Sequence, residues 1–352
     1  MTARLDIPVP REIAIVMLSA LGDAVHVLPV VNALKRAWPG SRITWIIQPV
    51  PHALVAGHEN VDEFIVFRRR RGAQGLKSFR DISGALRGRR FDLLLNLQVY
   101  MKAGIITAMA RADVKLGFDR RRARDMNWLF TTHRVPARPA GHVQDQYFEF
   151  LEHLGIDPVP VEWRLGPDEA ERAAQREHFG RLGRPACGLV VGTSKPAKNW
   201  SPERYARLAE ALESDYGMKL LLLGGPSQVE RAAADRILAA SGARVVDALA
   251  DDVRRLLWLV DGCDLIISPD TGPLHLARAL DRPLVGLYGY TNPKRYGPYG
   301  RPEQVVDGYA RHEGEDYPLG TEYRPDGMDR ITVDMVLAGV DRVLRDAGRS
   351  AG

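Results

Sequence analysis

Cysteine is almost absent: Cys187 and Cys263 are the only two in 352 residues. Both adjoin short apolar, strand-like runs, so they read as buried free thiols rather than as a disulfide or a metal site. That usage fits a reducing, cytoplasmic compartment. Long hydrophobic runs are also missing. The longest candidates, such as residues 13–21, are strand-sized, whereas a membrane-spanning helix needs roughly 18 apolar residues. The first ten residues lack the basic stretch and apolar core of a signal peptide. No G-x-G-x-x-G follows the first apolar run, which argues against a dinucleotide site there. What is present is ordinary for a globular chain: 45% apolar and 26% charged residues. This balance excludes a disordered chain, a collagen-like fibre and a coiled coil.

The net charge is modest, +5, but unevenly placed. Arg68, Arg69, Arg70 and Arg71 form one run, and Arg120, Arg121, Arg122 and Arg124 another. Both could be solvated faces. Both could equally attract an anionic partner: nucleic acid, a phosphorylated glycan or a membrane surface. The runs carry no interleaved aromatics and no recognised nucleic-acid motif, so nucleic acid is the weakest of these partners.

Short apolar runs alternate with helical periodicity along the chain. Strands are expected at 13–18, 43–47, 64–67 and 91–97, with helices at 24–38 and 103–110. A linker near Gly166-Pro167-Asp168-Glu169 opens a second stretch of the same kind. There, helices at 168–182, 202–215, 228–239, 253–260 and 274–280 interleave with strands at 187–191, 219–223, 244–246, 264–267 and 284–287. Strands apolar on both faces and separated by helices imply parallel sheets covered on both sides. The expected architecture is α/β, with two doubly wound parallel-sheet domains at 1–165 and 166–332. A last helix, about 333–345, could pack on either. Ligands of such sheets bind beyond the carboxyl ends of the strands.

Three strand-end turns carry groups with chemistry. The first is Ser19-Ala20-Leu21-Gly22-Asp23-Ala24-Val25-His26, in which Asp23 opens a helix. It reads as a capping carboxylate or as a base kept ionised by the helix N-terminus. The second is Gly192-Thr193-Ser194-Lys195-Pro196-Ala197-Lys198-Asn199. Its hydroxyls and lysines suit phosphate, although surface lysines are common. The third is Ser268-Pro269-Asp270-Thr271-Gly272-Pro273-Leu274-His275. Here the N–H groups of Thr271, Gly272 and Leu274 are expected to form an anion site at a helix start, with His275 on the same face. A weaker turn, Gly224-Gly225-Pro226, would let a ribose or base approach closely.

These segments, with LLLGGP and DLIISPDTGPLHLARALDRPLVGLYGYTNP, resemble the lipopolysaccharide heptosyltransferases of glycosyltransferase family 9 from about residue 13 to 299. The His26 and Leu28-Pro29 after the Gly-Asp turn are more similar to the heptosyltransferase I type. The resemblance implies a GT-B fold, with two Rossmann-like domains facing a cleft and the C-terminal helix, about 333–350, packing back on the first. It also implies inverting, metal-independent transfer from ADP-heptose, with no cofactor. The acceptor would be a Kdo-bearing lipid A precursor at the cytoplasmic face of the inner membrane, the enzyme being peripheral.

The same resemblance assigns roles. Asp23 would be the general base. Lys198 would neutralise the departing diphosphate, with Thr193 and Ser194 donating to it, and Lys195 competes for the lysine role. Thr271 and Gly272 would bind phosphate through backbone N–H groups, Asp270 would hold sugar hydroxyls, and His275 would sit beside them. Lys102, Arg124 and His142 would bind the acceptor. Gly224, Gly225 and residues 249–253 would line the adenine pocket. Two places depart from the family pattern: Gly289-Tyr290, where a smaller residue is expected after the glycine, and residues 301–330. Two alternatives stand beside this reading. One is the same fold acting on another sugar nucleotide or glycan; the other is a non-catalytic sugar-nucleotide-binding protein.

Overall fold

The computed structural model describes residues 4–70, 72–250 and 252–350. The chain divides into two compact units, ending and beginning at Leu165 and Gly166. Arg71 and Asp251, which fall in the first arginine run and the expected adenine stretch, lie outside the described residues.

In the first unit the strands are β1 (Glu12–Val16), β2 (Arg42–Ile47), β3 (Glu63–Val66), β4 (Phe91–Asn96), β5 (Ala112–Gly117) and β6 (His133–Arg134). They pair in parallel in the order β3-β2-β1-β4-β5-β6. The chain therefore winds outwards from β1, returns, and winds the other way from β4. Ile13, Ile15, Trp45, Leu93 and Leu95 are fully buried, which is why these runs carry no polar alternation. Helix Leu21–Ala37 follows β1 and packs on helix Val143–His153.

In the second unit the strands are β7 (Ala186–Val190), β8 (Lys219–Leu223), β9 (Val245–Asp247), β10 (Leu265–Pro269), β11 (Leu284–Tyr288) and β12 (Val305–Asp307). They repeat the plan in parallel order β12-β11-β10-β7-β8-β9. Cys187 and Cys263 are buried free thiols, and burial pushes both thiol pKa values up.

In each sheet the winding reverses between two central strands, β1 and β4 in one, β7 and β10 in the other. The gap beyond their carboxyl ends is the natural ligand position of an open α/β sheet.

The C-terminal helix, Val333–Ser350, packs on helix Pro202–Tyr216 and on β11 and β12. This corrects the expectation that it returns to the first unit. Val336, Val340 and Val343 are buried in the second unit's core. The Tyr216 hydroxyl donates to Asp341 Oδ1 (2.7 Å), and Arg342 donates to the Glu303 and Val305 carbonyls (2.7 and 3.1 Å). Among the described residues no helix is long and apolar enough to cross a membrane.

Candidate active site

Asp23 lies beyond the end of β1, as the third residue of helix Leu21–Ala37. Its Oδ2 accepts the Ala20 N–H at 2.7 Å, a bond that satisfies one of the helix's orphan donors. Its Oδ1 lies 3.4 Å from the Tyr147 hydroxyl, which donates to it. The helix cap and the Tyr147 contact thus fall on different oxygens. The loop that carries Asp23 is fixed by Gln98, beyond the end of β4. Gln98 Oε1 accepts from Leu18 N–H (3.3 Å) and its Nε2 donates to the Ser19 carbonyl.

His26, one turn after Asp23, is paired with Gln144: Nδ1 to Oε1 is 2.8 Å, and Gln144 Nε2 donates to the His26 carbonyl (2.9 Å). His142 caps helix Val143–His153, its Nδ1 accepting the Gln144 N–H (3.1 Å), and its ring stands 6.3 Å from that of His26. Arg124 lies beside Tyr100, which precedes Lys102 by two residues. The Arg124 guanidinium is 5.9 Å from the Tyr100 ring, and the Arg124 backbone N–H donates to the Val99 carbonyl (2.8 Å). Burial, and then the nearby charge of Arg69, push the Lys102 ammonium below the ordinary lysine range.

One member of the second arginine run has no free charge to offer. Arg122 bonds Asp119 (2.5 Å), Glu149 (2.7 Å) and the Pro136 carbonyl (3.1 Å), with 14% of its side chain exposed. Arg120 covers the Trp128 ring at 4.3 Å, and Arg70 pairs with Asp81 at 2.6 Å. The run is therefore a structural knot flanked by exposed arginines, not a uniform basic face.

In the second unit, the loops after β7 and β10 come together. Lys198 Nζ donates to Asp270 Oδ2 (2.5 Å) and to the Asp270 carbonyl (3.3 Å). Thr291, beyond the end of β11, donates its hydroxyl to the same Oδ2 (2.7 Å), and His275 Nε2 lies 3.5 Å from Oδ1. Asp270 is buried. Burial opposes its ionisation, but the His275 hydrogen bond and the Lys198 charge outweigh that. Its pKa is held well below the usual carboxylate range.

Helix Gly272–Ala279 starts beside this carboxylate, with Thr271 in extended backbone before it. The Leu274 N–H bonds the Thr271 carbonyl (3.1 Å), so it is not available to a ligand as the sequence suggested. Thr271 and Gly272 are partly exposed, and among the described residues no acceptor meets either backbone N–H. They remain as donors at the positive helix end.

Thr193 also differs from expectation. It is buried, and its hydroxyl sits between the Lys195 carbonyl (2.7 Å) and Asn199 Oδ1 (2.9 Å), so it staples the loop. Ser194 is exposed beside it. The two lysines separate clearly: Lys198 meets Asp270, whereas Lys195 Nζ stands 4.9 Å from the ring of Tyr323.

Gly224 and Gly225 lie beyond β8. Gly225 N–H donates to Glu230 Oε1 (2.8 Å), the Ser227 hydroxyl donates to Oε2 (2.6 Å), and the Gly224 carbonyl accepts Ala250 N–H (3.0 Å). Glu230, Asn199, Gln98, Tyr147 and Thr291 were all missed by sequence reasoning. Thr291 and Gln98 had a signal: each lies just beyond a buried strand, as Asp270 does. Among the described residues, no group of three or more His, Cys, Asp or Glu side chains is arranged to hold a metal ion.

A family model for glycosyltransferase family 9 (heptosyltransferase) matches residues 79–317. The lipopolysaccharide core heptosyltransferase OpsX of Haemophilus influenzae is 29% identical over 313 residues, covering 88% of this chain and 87% of that protein. Lipopolysaccharide heptosyltransferase 1 of Escherichia coli strain K12 is 28% identical over 310 residues, covering 84% and 92%. The solved structure of E. coli heptosyltransferase WaaC with ADP-2-deoxy-2-fluoro heptose matches with a TM-score of 0.71. It is 22% identical and covers 94% of this chain and 99% of that one. The protein is thus an enzyme, a glycosyltransferase with a GT-B-like pair of Rossmann-like domains. Within that class, the chain belongs to glycosyltransferase family 9, the heptosyltransferase family.

Proposed function

We propose that this enzyme transfers a heptose from ADP-heptose to the Kdo-bearing inner core of a lipopolysaccharide precursor. The observation that carries the reading is the Lys198–Asp270 pair beside the open Thr271 and Gly272 amides, at the switch point of the second sheet. A diphosphate fits that combination of ammonium and helix-end donors. The relatives supply the sugar and acceptor: two are lipopolysaccharide heptosyltransferases by name, and the E. coli structure holds an ADP-heptose analogue.

The reaction follows from these parts. Asp23 Oδ1 takes the proton of the acceptor hydroxyl, and the hydroxyl oxygen bonds the donor's anomeric carbon. The bond from that carbon to the diphosphate breaks on the opposite face, so configuration inverts. The transition state is oxocarbenium-like. Charge grows on the departing ADP, and Lys198 and the two amides neutralise it. Asp270, ionised and fixed by Thr291 and His275, presents Oδ1 to sugar hydroxyls. In this scheme the protein's own cations neutralise the leaving group, and no metal ion or cofactor is required. Lys102, Arg124 and His142 bind the anionic acceptor. The exposed Arg121 and Arg124 favour work at the acidic cytoplasmic face of the inner membrane.

The test is a panel of ADP-heptose and GDP- and UDP-sugars with a Kdo-lipid A acceptor, read by product mass. ADP-heptose alone should add one heptose. Transfer from another donor moves the enzyme to a different sugar, and binding of ADP-heptose without transfer removes Kdo-lipid A as its acceptor.

A further inference from the structure

Gly289-Tyr290 and the segment 301–330 meet in space. Tyr290 and Tyr323 stack with ring centroids 4.8 Å apart and planes 13° from parallel. Thr291 forms an isolated antiparallel bridge with Tyr323, and Arg324 N–H donates to the Tyr290 carbonyl (3.0 Å). Glycine makes the approach possible: a Cβ on Gly289 would lie 2.2 Å from the Met328 nitrogen, which is backbone and cannot swing aside. Arg324 anchors the segment through both nitrogens to Glu315 (2.8 and 2.9 Å). The aromatic pair is therefore held rigidly.

It is also exposed and adjacent to the chemistry. Tyr323 is 46% exposed. Thr291, which follows Tyr290 directly, bonds the Asp270 carboxylate at 2.7 Å. Lys195 places its ammonium 4.9 Å from the Tyr323 ring centroid. A rigid aromatic surface edged by a cation and a buried carboxylate matches the chemistry of a sugar. The C–H groups of a sugar pack on rings, while its hydroxyls bond the charges.

Resting on the nucleotide-sugar reading above, we propose that Tyr290 and Tyr323, with Lys195, form the wall of the donor site that faces the sugar. Lys198 then serves the diphosphate and Lys195 the sugar. The tyrosine pair discriminates among donors sharing one nucleotide, because it touches only the part that differs.

Titration calorimetry with ADP and with ADP-heptose separates this from a structural role. Tyr323→Ala should leave ADP affinity unchanged and weaken ADP-heptose about tenfold, the size of one good aromatic contact. Tyr323→Phe should restore it. Lys195→Ala should spare ADP, whereas Lys198→Ala should weaken ADP. The proposal is overturned if Tyr323→Ala leaves ADP-heptose binding untouched, or weakens ADP and ADP-heptose equally. If the wild-type enzyme prefers a UDP- or GDP-sugar, the donor reading fails alone; that sugar nucleotide and its free diphosphate then decide the wall. Binding of no nucleotide sugar overturns both.

Discussion

Asp270 Oδ2 holds Lys198 Nζ at 2.5 Å, inside a carboxylate site that is otherwise buried. The pair fixes a long, flexible side chain in front of two open amides before any ligand arrives. Preorganised charge of this kind stabilises a leaving group without reorganisation during the reaction.

Lys198→Ala should lower kcat about a hundredfold or more, as loss of one preorganised donor does elsewhere. Steady-state kinetics with saturating acceptor measures it. Because the Asp270 pKa is depressed in the folded protein, its contribution to stability is complete above the ordinary carboxylate value, about 3.9. It is lost only as pH falls through the lower folded value. Urea unfolding followed as the pH is lowered below about 3.9 should therefore lose stability more steeply in the wild type than in Asp270→Asn.

Neighbouring arginines should behave oppositely. Arg122→Ala strips the cation from Asp119 and Glu149. It should cost about 3 kcal/mol of stability, the scale for breaking a largely buried pair, and lower the urea midpoint. Arg124→Ala should leave that midpoint in place and raise KM for the anionic acceptor, an effect that fades at high salt.

Lys102 gives a pH signature. Burial and Arg69 lower its pKa, so it loses its charge at a pH below the lysine norm of about 10.4. Acceptor KM should rise on the alkaline side earlier than for an ordinary lysine. Lys102→Arg, which stays charged, should flatten that rise; a profile unchanged by the substitution would remove Lys102 from acceptor binding.

Most of the sheet order follows from runs buried on both faces, such as 91–97 and 219–223, which advertise themselves by lacking polar alternation. β5 did not: ADVKLG is half-exposed and interrupts its apolar residues with Asp113 and Lys115. β6 is two residues long. Helix Val143–His153 was disguised because its buried face includes Gln144, Gln146 and Glu149. At the candidate site, residues beyond central strands were legible from topology, which is how Asp23, Lys198 and Asp270 were singled out. Their supports were not, because Gln98, Tyr147 and Thr291 reach them across the fold rather than along the chain. The Tyr290–Tyr323 stack was illegible for the same reason.

The central claim is a division of labour: the second unit holds the donor and Asp23 performs the proton transfer. Asp23→Asn tests it directly, with ADP-heptose affinity by calorimetry beside the transfer rate to a Kdo-lipid A acceptor. The account predicts unchanged donor affinity and a rate lower by about two to four orders of magnitude, the range for losing a positioned base. Transfer at the wild-type rate, or loss of donor binding together with transfer, would contradict it.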